Sequence, residues 1–253
     1  MSARPEIRVV GITGIPEVTP GTDLVGAILE GLERQDLRPR DRDILVITQK
    51  VVSKSEDRLV RLSGVEPSSL AKAFAEDGER DPRAIEIVLN QARRIVKMDR
   101  GLLITETWQG MVCAHAGVDA SNVPDLDRVA LLPADPDRSA ADLRASVRDR
   151  AGVDVGIIIC DTFGRPWREG LVNVAIGIAG MSPLLDYRGQ KDPQGRPLTA
   201  TVIAVADELA SAAELVMGKL DRVPVALIRG YDYPAGTGKG VDLVRPAERD
   251  LFR

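Results

Sequence analysis

Asp154-Val-Gly-Ile-Ile-Ile-Cys160 runs from one acid into a nearly unbroken apolar stretch, and it reads as a buried β-strand. Before it, residues 140–150 place Leu143 and Val147 on one side of a helix. After it comes DTFGRPWREG (161–170), a polar segment with a Gly-bearing turn, and then LVNVAIGI (171–178), a strand that its glycines weaken. Further out, IRVVGI (7–12) and DILVIT (43–48) are also buried strands. Between them residues 23–34 set Leu24, Ile28 and Leu32 at four-residue spacing, one face of an amphipathic helix. Two more helices are expected at 67–76 and 82–96, the second turning Ile85, Ile87, Val88, Ala92 and Ile95 inward. Short strands follow at 102–105, 111–114 and 129–132, and a helix at 207–217 lies between strands at 199–205 and 223–229. The central connections are too short for regular βαβ crossovers. The expectation is an α+β fold with mixed sheets and flanking helices. The chain reads as one domain, 1–253; two interlocked subdomains would also fit, and no boundary is marked. Residues 132–138 and 189–197, rich in proline and charge, read as surface loops, and 236–253 as peripheral.

The 253 residues carry 34 Lys+Arg against 38 Asp+Glu, a net charge of −4, with 3% aromatics. That balance argues against a nucleic-acid partner, which needs a basic surface and stacking rings. No run approaches the roughly 20 apolar residues of a membrane span, and residues 1–8 lack a signal-peptide core. Cys113 and Cys160 make no disulfide framework, so a reducing cytoplasm is expected. A single histidine leaves too few soft ligands for zinc, so any metal must be held mainly by oxygen.

Four segments carry candidate chemistry. Asp161 and Thr162 follow the buried strand and offer oxygens to a cation, with Arg165 and Arg168 as clamps for a phosphate or carboxylate; a strand-ending Asp beside solvated arginines is the plainer alternative. Asp119 and Asn122 in AGVDASN (116–122) suit a metal and a nucleotide, or else an ordinary Asx-turn. In TQKVVSKSE (48–56), Lys50, Ser53 and Lys54 either line a polyphosphate or form the first turn of a surface helix. The 11–18 turn brings backbone close to something, but two glycines three apart decide nothing. GTGKG (236–240) fails as a phosphate loop, because Gly240 follows Lys239 where Ser or Thr is needed. His115 reads as a structural or supporting residue and Cys160 as core.

Taken in order, GIPEV (14–18), TQKVVSKSEDR (48–58), AGVDASN (116–122), DTFGRPWREG (161–170), DYRGQKDPQGRPL (186–198), ADELASAAELVMGK (206–219) and PVALIRG (224–230) resemble the coenzyme F-420:L-glutamate ligase family, F-420-0:gamma-glutamyl ligase, in its stand-alone form. The resemblance implies the gamma-glutamyl ligase-like fold as an intertwined homodimer. It also implies GTP-dependent addition of L-glutamate, as a gamma-linked amide, to a deazaflavin precursor, through an acyl phosphate with release of GDP and phosphate. Mg or Mn is the implied metal, with a monovalent cation such as potassium. Matching positions make Asp119 and Asp161 metal ligands and catalytic, and Thr162 part of a second cation site. Ile15, Pro16, Glu17, Val18, Gln49, Lys50, Lys54, Asn122, Met217, Gly218 and Lys219 match nucleotide-contacting positions. Arg165 and Arg168 are the candidates for holding the acidic substrate, Arg165 being counted among the catalytic residues. One departure stands out: some members carry Glu or Gln after Met-Gly as a metal ligand, whereas Lys219 cannot ligate while protonated. A metal-dependent phosphohydrolase and a non-enzymatic GTP-binding module are the competing readings.

Overall fold

The computed structural model describes residues 5–123 and 125–250. Its strands are β1 (Arg8–Gly11), β2 (Ile44–Thr48), β3 (Leu59–Arg61), β4 (Ala92–Asp99), β5 (Leu102–Thr107), β6 (Val112–Ala114), β7 (Arg128–Ala130), β8 (Gly156–Arg165), β9 (Arg168–Ala179), β10 (Leu185–Asp186), β11 (Val202–Ile203) and β12 (Val225–Arg229). The α-helices are α1 (Leu24–Arg34), α2 (Gln49–Ser55), α3 (Ser69–Gly78), α4 (Pro82–Gln91), α5 (Pro136–Ala151) and α6 (Val205–Met217). The architecture is α+β with mixed sheets, as the sequence predicts. The main sheet runs β1-β12-β2-β8-β9, with β2 and β8 parallel and every other pair antiparallel.

Alternation along the central strands explains their uninterrupted apolar sequence. Leu45, Ile47, Ile157 and Ile159 pack with α1 and α5, whereas Ile44, Val46, Ile158 and Cys160 pack with α6. A sheet covered on both faces has no polar side to show. Each fully buried Ile or Leu contributes about 1.5–3 kcal/mol. Helix α1 begins where Asp23 Oδ1 accepts from the Gly26 N–H at 3.1 Å, and the same carboxylate pairs with Arg150 of α5 at 2.6 Å.

Between α2 and α5 the chain builds a second region with smaller cores of its own. There β4-β5-β6 form an antiparallel sheet, β3 pairs with β7, and α3 and α4 pack around Phe74, Ile85, Val88 and Leu103. None of the strands in this region pairs with the main sheet.

Several boundaries differ from the sequence reading. The helix expected to reach residue 96 ends at Gln91, and Ala92 turns to φ −91°, ψ 127° to start β4. The β-branched Ile95 is served better by pairing with Thr105 of β5, with Val96 at a register shift, and Ile95 still packs against the α3–α4 core. The proline-rich segment 132–138 is in part the start of α5: Asp135 accepts from the Arg138 N–H, and Pro136 takes the first turn, where its missing N–H costs nothing. The expected strand at 199–205 shrinks to Val202–Ile203. Gly177, one of the glycines that weaken β9 in the sequence, lies where a Cβ would stand 2.3 Å from Pro136 O, so only glycine admits α5 here. Most of the segment expected to be peripheral is exposed or half-buried over 236–250, with residues 251–253 outside the described residues, but Gly240 is docked into the fold. The Gly240 N–H donates to Asp137 at 2.7 Å, and a Cβ there would meet Ile176 O at 2.4 Å. No helix among the described residues is long and apolar enough to cross a membrane.

Candidate active site

The site forms where two paired strands part company. The parallel pairing of β2 with β8 ends at Thr48 opposite Cys160. Beyond it the chain turns from β2 into α2, while β8 continues to Arg165 against β9. Asp161 is therefore not at the end of its own strand, as the sequence suggested, but one residue past the end of its neighbour. Successive strand residues point to opposite faces, so Asp161 follows Ile159 toward the side of α2 and Thr162 follows Cys160 toward α6.

A cavity of about 700 Å³ opens at this point. Its rim includes Ile15, Pro16, Glu17 and Val18 from the first turn, Gln49, Lys50 and Lys54 from α2, and Asn122. Asp161, Thr162, Gly218 and Lys219 complete much of the rest. Helix α2 is not a surface helix: Gln49, Val51, Val52, Ser53 and Lys54 are buried. Lys54 Nζ pairs with Glu17 at 2.6 Å, tying α2 to the first turn. Gln49 Oε1 accepts from Ser53 at 2.9 Å, whereas Gln49 Nε2 is buried with no partner among the described residues. A donor left unpaired in that way costs stability unless something arrives to accept from it.

Asp119 reaches this rim indirectly. It lies in an isolated bridge with Ala130, and its carboxylate accepts from the Ser121 N–H at 2.7 Å and pairs with Lys50 Nζ at 2.6 Å. Burial works against its ionisation, but Lys50 and Ser121 outweigh that and hold its pKa below the ordinary value. Asp161 is the opposite case. Burial pushes its pKa up to about 6, relieved only in part by the Thr162 N–H and by the charges of Lys50 and Lys219, and Asp119 raises it further. Among the described residues no side chain donates to its carboxylate. Lys50 pairs with Asp119 and reaches Asp161 only through its field, so Asp161 is left short of positive charge.

On the α6 side, Thr162 Oγ1 bonds to Asn173 Oδ1 at 2.7 Å, and Asn173 Nδ2 donates to Glu214 at 2.8 Å. Lys219 Nζ donates to Thr162 Oγ1 and lies 3.2 Å from Glu214. Sequence reasoning passed over Asn173 and Glu214. The available signal was a lone amide in the apolar strand LVNVAIGI, directly opposite Thr162 in register.

Other expectations separate from the cavity. Arg165 lies four residues further along β8, roughly 13 Å at strand rise, where it donates to Glu169 O at 3.0 Å; neither it nor Arg168 lines the cavity. Met217, the last residue of α6, is fully buried rather than at the rim. Cys160 is buried, with its thiol pKa driven far up by that burial, and His115 is lowered by burial and by Arg80. Neither lies poised for nucleophilic or base work. No group of three or more His, Cys, Asp or Glu that could hold a metal occurs among the described residues.

Comparison with known proteins follows the same layout. The family described as F420-0:Gamma-glutamyl ligase matches residues 13–230. A protein of Methanopyrus kandleri named coenzyme F420:L-glutamate ligase is 45% identical over 258 residues, covering all of both chains. Proteins of the same name are 41% identical in Methanothermobacter thermautotrophicus, over 98% of this chain and 99% of the relative, and 44% identical in Methanocaldococcus jannaschii, over 84% and 85%. With a match spanning the first turn, α2, the Asp119 loop, β8 and α6, the chain belongs to the F420-0:gamma-glutamyl ligase family, enzymes that form a carbon–nitrogen bond.

Proposed function

We propose that this protein ligates L-glutamate to the coenzyme F-420 precursor F-420-0 through a gamma-linked amide, at the expense of GTP. The observation that carries the reading is Asp161, a half-buried, under-compensated acid in a cavity of about 700 Å³ that Lys50 also lines, with Asp119 paired to that lysine. Two carboxylates are the protein share that Mg or Mn takes when substrate phosphates and water supply the remaining oxygens. Asp119 and Asp161 would hold that ion, and its chemistry there is neutralisation of the transferring phosphoryl group.

The chain's own groups do the rest. Lys50 meets the phosphates as a point charge once it leaves Asp119. Gln49 Nε2 offers its unpartnered donor to an acceptor of the nucleotide, and Ile15, Pro16, Glu17, Val18, Lys54, Asn122 and Gly218 enclose it. An acyl phosphate made from the γ-phosphate gives the precursor's carboxyl a leaving group that the glutamate amine can displace, releasing phosphate and GDP. Arg222, which lines the cavity where Arg165 does not, is the arginine available to an anionic substrate. A homodimer in the cytoplasm and a monovalent cation such as potassium belong to the same reading. Two large apolar side chains at the β8–β9 hairpin, Trp167 in its turn and Leu171 on β9, are 86% and 66% exposed, which supports self-association.

The test is a mass measurement on protein incubated with GTP, Mn, glutamate and F-420-0. We expect a product heavier by glutamate residues, with GDP formed only when both acceptor and amine are present. Asp161→Asn should lower turnover about 10²–10³-fold. GDP release without the amine would instead indicate a phosphohydrolase, and tight GTP binding without turnover a nucleotide-binding module.

A further inference from the structure

The α6 side of the cavity is wired for one positive charge, and the chain already holds one there. The Thr162 hydroxyl has a single proton. With Asn173 Nδ2 committed to Glu214, the amide must present Oδ1 to Thr162, so the hydroxyl donates to Asn173 and turns a lone pair outward. Asn173 is 1% exposed, which holds that orientation in place. The outward lone pair and the Glu214 carboxylate both demand a cation, and Lys219 Nζ meets both at once. An ammonium has three donors. Two are used here, and the third is available to an oxygen in the cavity that Lys219 lines.

A divalent ion bound through Thr162 does not fit this arrangement. The hydroxyl oxygen keeps one further lone pair, but an ion bound there would stand directly against the lysine's charge. We infer that Lys219, held by Glu214 and oriented through Asn173 and Thr162, supplies the second positive charge of this site as a built-in ammonium, so that each chain takes up one divalent cation rather than two. The inference rests on the nucleotide-ligase reading for the one ion it leaves at Asp119 and Asp161 and for what the third donor meets.

The experiment counts bound Mn(II) by electron paramagnetic resonance in the full-length protein with a non-hydrolysable GTP analogue, for the wild type, Lys219→Gln and Asp161→Asn. Lys219 is an exposed side chain, so folding of the variant is checked simply by its melting curve. Glutamine removes the ammonium and adds an oxygen ligand. We expect about one Mn(II) per chain in the wild type and about two in Lys219→Gln, the second with the octahedral oxygen environment of such sites. Two ions in the wild type, or no gain in Lys219→Gln, would overturn the inference. Asp161→Asn tests the other site separately. Loss of the wild-type ion supports the placement proposed for it. Its retention defeats that placement, and the one-ion difference between wild type and Lys219→Gln then decides the role of Lys219 by itself.

Discussion

Asp43 and Asp161 stand at opposite ends of the same parallel strand pair, and the protein treats them in opposite ways. Asp43 precedes β2 and is 1% exposed. Arg229 donates to it twice, at 2.8 and 2.7 Å, and the Arg40 N–H adds a third bond at 2.8 Å. Asp161, just past the other end, has the Thr162 N–H and the distant fields of two lysines. Both acids lose water on folding. One is answered inside the fold, and the other is left for a ligand to answer. A compensated buried acid is part of the architecture, while an under-compensated one in a cavity is a candidate functional group.

Breaking the answered end should have the largest effect on stability. Arg229→Met leaves Asp43 buried and unpaired, and a loss of about 3–5 kcal/mol is expected by chemical denaturation. Mn binding per folded chain should not change. The unanswered end should respond with the opposite sign. A raised carboxyl pKa means the folded state keeps a proton that the unfolded chain gives up, so this group favours folding least above about pH 6. Stability in EDTA should therefore fall by up to about 3 kcal/mol between pH 4 and 7 on account of Asp161. Asp161→Asn should lose that slope and melt higher than the wild type at pH 7.5. A variant that melts lower there would show that Asp161 is already compensated. The smallest effect should come from a pair that is merely close. Arg138 and Asp142 on α5 lie 2.9 Å apart but 74% and 63% exposed. Arg138→Ala should move Tm by less than about 1 °C, because solvent already satisfies both charges.

Much of this contrast was open to reading in the chain itself. Residues 43–48 and 154–160 are so apolar that only a strand covered on both sides suits them, and Asp161 after the second was visible as chemistry in search of a role. The helix predicted through residue 96 failed because a local apolar face continues past Gln91, while the pairing that ends it comes from β5, ten residues further on. Arg165 failed for a related reason. DTFGRPWREG looks like a turn after Asp161, and only the register with β9 carries the strand onward and takes the arginine away from the cavity.

The sequence by itself determined the strands of the main sheet, most helices and the identity of the acids, because each follows from residue type and short-range periodicity. Tertiary structure alone decided which acid is neutralised and which is not. Asp43 meets Arg229 across 186 positions, Lys50 meets Ser121 across 71, and Thr162 meets Lys219 across 57. Whether a buried charge is satisfied depends on partners that distant, and no local pattern records them.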